Sequence, residues 1–158
     1  MRKDIFKIIF ERDLNSLKEE LMLFEDEKNI WKANEGISNV SGNLCLHLIG
    51  NLNHFIGAVL GNTGFIRNRE EEFALKNVSR VQILIDIDKT IQVIKMALDT
   101  LSDEDFEKEY PLEKHGEKVS TEYMLMHLIT HFNYHLGQIN YHRRILTNKF
   151  EKIEHKIE

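Results

Sequence analysis

His127, His131 and His135 follow one another at intervals of four residues. On an α-helix, residues four apart lie one turn along and about 40° round, so adjacent members of this series can aim imidazole nitrogens at one point. Imidazole binds divalent cations at ~2.0–2.1 Å. The helix fixes both Cβ positions in advance, so little ordering remains to be done on binding. The outer two residues sit ~12 Å apart along the axis, so one ion can take His127 with His131 or His131 with His135, and His131 is common to both choices. A third ligand needs a second helix, where His47 and His54 stand seven apart. They share a side but are separated by ~10.5 Å, so only one can join. A histidine on an amphipathic helix is ordinarily a surface or hydrogen-bonded core residue, and an HxxxH pair lacks the glutamate of the HExxH zinc proteases. What distinguishes this chain is the combination of a pair with a facing histidine on another helix.

The elements that must carry these residues follow from apolar spacing. Phe10, Leu14, Leu17, Leu21 and Phe24 step by four and three, which predicts a helix over 2–24, with Ile5, Ile8 and Ile9 widening its stripe. Residues 25–40 lose the period and predict a loop that pins Trp31 against the core. Ser41 is a good N-cap for a helix over 41–60, striped by Leu44, Leu48, Leu52, Phe55, Ile56 and Val59 and ended by Gly61-Asn62-Thr63-Gly64. The charged stretch 65–78 reads as irregular. Ser79 with Gln82 forms a capping-box pattern that opens a helix over 80–101, and Ser102–Asp105 looks like a short capped turn. The last helix runs over 121–147 and carries the histidine series; the charged residues beyond it extend or fray it. The expectation is an all-α four-helix bundle, a single domain over 1–158 with long inter-helix connections of roughly 16–19 residues.

Composition narrows the function classes. A net charge of −5 with no basic block argues against nucleic-acid binding. No apolar run reaches the ~18 residues of a membrane helix, and the first residues lack an export-signal core. The single cysteine, Cys45, sits in an apolar run and reads as a small buried hydrophobe, in keeping with a reducing cytoplasm.

Three segments together resemble the DinB-like superfamily of metalloenzymes. His127-Leu-Ile-Thr-His131-Phe-Asn-Tyr-His135-Leu-Gly-Gln-Ile is similar to its last-helix signature, and Asn43-Leu-Cys-Leu-His47-Leu-Ile-Gly-Asn51-Leu-Asn-His54-Phe-Ile-Gly57 to its second-helix signature. Arg67-Asn-Arg69-Glu-Glu-Glu-Phe73 resembles a loop motif of an uncharacterised branch. The resemblance implies a four-helix bundle, often a homodimer. It implies a divalent metal, zinc or nickel first although imidazole also suits copper and iron, on His47, His131 and His135. His54 becomes secondary, and His127 and His142 have no ligand counterpart; His115 and His155 fall in loop and tail. Three protein ligands leave a coordination position open, and characterised relatives include S-transferases and isomerases that use small thiols, the motif itself not choosing between these chemistries. The implied function is thus a metal-dependent enzyme acting on a small-molecule thiol and an electrophilic substrate; the alternative is a non-catalytic metal-binding or stress-response module. Asn51 and Gln138 are candidates to hold the ligand imidazoles. Gly137 is expected to allow a close helix approach, Tyr134 and Tyr141 to pack, and Arg67 and Arg69 to be solvated loop charges with local glutamate partners, the alternative being that they position an anionic substrate group.

Overall fold

The computed structural model describes residues 2–147, and within them the chain is all-helical. Five α-helices occur: α1 (Arg2–Met22), α2 (Ser41–Leu52), α3 (Arg69–Ala74), α4 (Arg80–Asp99) and α5 (Thr121–Thr147). The expected tail lies outside the described residues. No described helix is long and apolar enough to cross a membrane.

Apolar stripes of the long helices form the core. Phe10, Leu14, Leu17, Leu21 and Phe24 of α1 and its following turn, Leu44, Leu48 and Leu52 of α2, and Ile83, Ile87, Ile94 and Leu98 of α4 are all buried. Ile5 and Ile8 do not widen the α1 stripe; they are exposed, because the buried face is centred on Phe6 and Phe10, about 100° or more away round the helix. Cys45 is buried as expected, and burial pushes its thiol pKa up, so it is not a reactive group.

Polar contacts between helices give the chain direction of each. Lys7 meets Asp99, Lys18 meets Asp88 and Lys95 meets Glu11, so α1 and α4 run antiparallel. Arg2 meets Glu122, Asp13 meets Asn133 and Glu20 meets Arg143, so α1 and α5 run parallel. Helix α2 packs between α4 and α5, parallel to α4 (Asn53 with Thr90) and antiparallel to α5 (Ser41 with His142). Successive helices therefore do not simply reverse beside one another, and this is why the connections are long.

Helix α2 differs from its expected course at both ends. Ser41 is not its N-cap: Val40 holds that position without a side-chain cap, and the Ser41 hydroxyl bonds His142 instead. At the other end, α2 leaves α-geometry at Asn53 and continues as a π-turn over Asn53–Ala58. Two neighbours stabilise it. The Tyr110 phenol donates to the Phe55 carbonyl at 2.6 Å, and Asn53 bonds Thr90 across to α4 at 2.8 Å. Gly57 makes the close approach possible, since a Cβ there would collide with Val93. The Ser79 cap of α4 is as expected, its hydroxyl accepting from the Gln82 N–H. Trp31, in a 3₁₀ turn over Glu27–Trp31, donates from Nε1 to the Val78 carbonyl at 3.1 Å and lies over Gly42.

His142 ties this end of the bundle together. Its Nε2–H donates to the Lys32 carbonyl at 2.9 Å, and its Nδ1 accepts from the Ser41 backbone N–H and hydroxyl at 3.2 and 2.7 Å. Every ring position is thus used in the neutral form. Burial lowers its pKa below 6.5, and the Lys32 carbonyl offsets this only in part. An unfolded chain regains the ordinary value and takes up the proton first. The stability from this site is therefore complete above about pH 6.5 and is lost as pH falls through that value toward the folded one. We expect the melting temperature of metal-free protein to fall between about pH 7 and about pH 5, with a shallower slope in His142→Gln; equal slopes in the two proteins would contradict this assignment.

Candidate metal centre

Helices α2 and α5 cross antiparallel where His47 meets His131 and His135. His47 Nε2 lies 3.2 Å from His131 Nε2, and His135 Nε2 lies 3.1 Å from the same atom. One ligand atom from each of the three residues falls within 4.8 Å of the others. Nitrogens bound tetrahedrally at ~2.0–2.1 Å stand about 3.3–3.4 Å apart, so these separations approach the edges of such a site.

The tautomers are set from outside. Glu72 Oε2 accepts from His47 Nδ1 at 2.9 Å, and Gln138 Oε1 accepts from His135 Nδ1 at 2.7 Å. Both protons therefore sit on Nδ1, and both Nε2 lone pairs point at His131. His131 can answer with at most one N–H, and its own Nδ1 is buried without a hydrogen-bond partner. Protonation of His131 itself is disfavoured. Burial, followed by the charges of His135, His47, His127 and Arg67, lowers the His131 pKa to about 4. Burial also lowers that of His135, with Gln138 opposing. Three imidazole Nε2 atoms thus face one another with fewer N–H donors than lone pairs, an arrangement that a divalent cation would satisfy. The residues fit a divalent metal.

Behind His47 stands an arrangement that composition and period do not reveal. Asn68 caps the short helix α3, its side chain accepting from the Glu71 N–H, and three acidic residues occupy the first turn. Asn43 of α2 fastens α3 by donating to the Glu72 and Leu75 carbonyls at 3.0 and 2.9 Å. Phe73 lies against the His47 ring. Glu72 is buried and receives Arg67 through Nε and Nη2 at 2.7 and 2.9 Å as well as His47. Burial pulls its carboxyl pKa up, but the bonds from His47 and Arg67 outweigh this and the net shift is downward, so Glu72 is an anion held by two donors.

Gly50 makes room for that anion, because a Cβ there would overlap the Glu72 carboxylate. We expect Gly50→Ala and Glu72→Gln each to weaken metal binding about 10–100-fold with the helical content unchanged. Titration with Zn²⁺ monitored by calorimetry checks this, and affinities equal to the wild type would remove Glu72 from the centre.

Of the other sequence candidates, Gln138 orients His135 as foreseen. Asn51 does not hold His47, the position being taken by Glu72, and its Oδ1 is buried without a partner. His127 stacks on His131 at 6.1 Å between centroids and stays outside the triad, and His54 turns to the Phe55 ring. Arg67 is a structural partner of Glu72 rather than a solvated charge, while Arg69 lies over Phe73. Gly137 faces open space, and Tyr134 and Tyr141 are exposed, so neither the close approach nor the packing expected of them occurs. The one sequence signal for Glu72 is the Arg67–Phe73 run itself.

The rings of His47 and His131 line a cavity of about 280 Å³, completed on its apolar side by Phe55, Met124 and Leu128.

A family model described as "Protein of unknown function (DUF1572)" matches residues 6–154. The chain belongs to the DUF1572 family. The match spans α2, α3 and α5, so the histidine triad and Glu72 lie within the part that defines membership. No curated protein matches the chain.

Proposed function

We propose that this DUF1572 chain is a metal-dependent enzyme with a DinB-like four-helix bundle, working as a cytoplasmic homodimer and catalysing S-transfer from a small thiol to an electrophilic carbon. The observation that supports it best is the convergence of three Nε2 atoms at 3.1–3.2 Å contacts beside a cavity. His47, His131 and His135 would hold the ion, zinc or nickel first among divalent cations. Three protein ligands are the pattern of catalytic rather than structural sites, which close with four. The ion would supply Lewis acidity at a position the chain leaves free.

The chain's own residues supply the rest. Glu72 and Gln138 keep the His47 and His135 rings in the metal-binding tautomer, and Arg67 holds Glu72 ionised. Phe55, Met124 and Leu128 keep part of the cavity dry. In the reaction, the thiol's proton passes to solvent water, its sulfur forms the new S–C bond, and the electrophile accepts the electron pair or releases its leaving group with it.

Untagged protein should carry about one divalent ion per chain, by elemental analysis. With cysteine as thiol and 1-chloro-2,4-dinitrobenzene as electrophile, the loaded protein should exceed the uncatalysed rate at least ~10-fold, a modest fraction of ordinary enzymatic acceleration. Full metal occupancy with only the background rate for this and other electrophiles would favour a binding module over an enzyme.

A further inference from the structure

The cavity beside the triad has a strongly biased wall. Among its lining residues are Arg67, Arg69, Lys114, His115 and His127, and not one carboxylate. Arg67 is neutralised by Glu72. Arg69 and Lys114 are not: among the described residues neither forms an ion pair, Arg69 resting on the Phe73 ring and Lys114 touching the His115 imidazole. They come from different segments, Arg69 from the start of α3 and Lys114 from the connection before α5. Two cations brought together around one concavity repel each other, and a bound anion relieves that repulsion.

We propose that one of the two substrates of this centre carries an oxyanion group, a carboxylate or a phosphate ester. That charged group is met by Arg69 and Lys114, and the short carbon portion beside it lies on Phe55, Met124 and Leu128. This rests on the histidine triad being the reacting centre, but the anion site itself is made by the chain alone.

The two can be tested apart. Metal-free protein at low ionic strength is titrated by calorimetry with inorganic phosphate and, separately, with lactate, which has both a carboxylate and a hydroxyl, against chloride at matched ionic strength. Binding of at least one oxyanion above chloride is expected, and which of the two binds tells a phosphate from a carboxylate site. In the double variant Arg69→Gln with Lys114→Gln that affinity should fall at least ~10-fold, each cation supplying a charge-assisted contact. Arg69 is exposed, Lys114 is half-buried and neither contacts a triad ring nitrogen, so the double variant should keep its fold and its metal content, which circular dichroism and elemental analysis check. No oxyanion binding beyond chloride, or undiminished binding by the double variant, overturns the proposal. Oxyanion binding in a protein that takes up no metal leaves this site standing and removes the metal reading; metal uptake without oxyanion binding does the reverse.

Discussion

Replacing His131 by alanine should abolish stoichiometric metal binding. His131 Nε2 is the atom that both other ring nitrogens face, so its loss leaves His47 and His135 as two ligands on different helices with no shared neighbour. Loss of an indirect partner of a metal ligand already weakens affinity ~10–100-fold, so loss of the central ligand should exceed ~100-fold. Stability reports the same event. An ion present at 100 times its dissociation constant adds ~2.7 kcal/mol, which for a domain of this size raises the melting temperature by about 5–10 °C. The wild type should show that rise with Zn²⁺ and His131→Ala should not. Metal content in His131→Ala equal to that of wild type, by elemental analysis of untagged protein, would falsify the ligand assignment. His127→Ala is the control: its ring stacks on His131 but brings no nitrogen to the triad, so metal content should persist.

The second large effect lies away from the centre, on the face between α1 and α5. Glu20 is fully buried, and it accepts from Arg143 Nε at 2.7 Å and from Asn140 Nδ2 at 2.6 Å. Arg143 is buried too, and its Nη2 has no partner. Removing one member of a buried ion pair leaves the other charge without compensation and costs ~3–5 kcal/mol. Glu20→Ala should therefore lower the melting temperature by about 6–20 °C. Replacing both residues by apolar ones, Glu20→Leu with Arg143→Met, removes the desolvation cost with the attraction and should recover most of that loss. If the double replacement melts no higher than Glu20→Ala, the pair does more than balance its own charges. The parallel course of α1 and α5 is marked by this pair together with Asp13–Asn133, so a lasting defect would point to their part in setting helix direction.

The buried pair also shows how sequence reading fails. Glu20 and Arg143 look like ordinary members of charged helix surfaces, because a charge can be buried only if its partner is supplied, and that partner is 123 residues away. The same reason hides Glu72. In Arg67–Phe73 one acid among three consecutive glutamates turns inward. Which one does so depends on the Asn68 cap, on Asn43 holding α3 and on the gap at Gly50, none of which has a period to detect. The π-turn at Asn53–Ala58 escapes for a related cause: it is held by Tyr110 and Thr90, from elsewhere in the chain, and the local residues would serve an α-helix as well.

What the chain's one-dimensional order determines is what the helical repeat determines. Apolar spacing set the helices and most of their buried faces, since burial of a stripe is enforced at every turn. The four-residue interval brought His131 and His135 together within one helix, where backbone geometry alone brings their rings close. Helical geometry by itself left open His47 against His54 and His135 against His127, choices that only the motif resemblance anticipated, while tertiary packing alone set Glu72 rather than Asn51 behind the His47 ring. Each of these choices turns on rotation and depth between packed rods, and the difference of a single helical turn, ~5.4 Å, exceeds the reach of any metal–ligand bond.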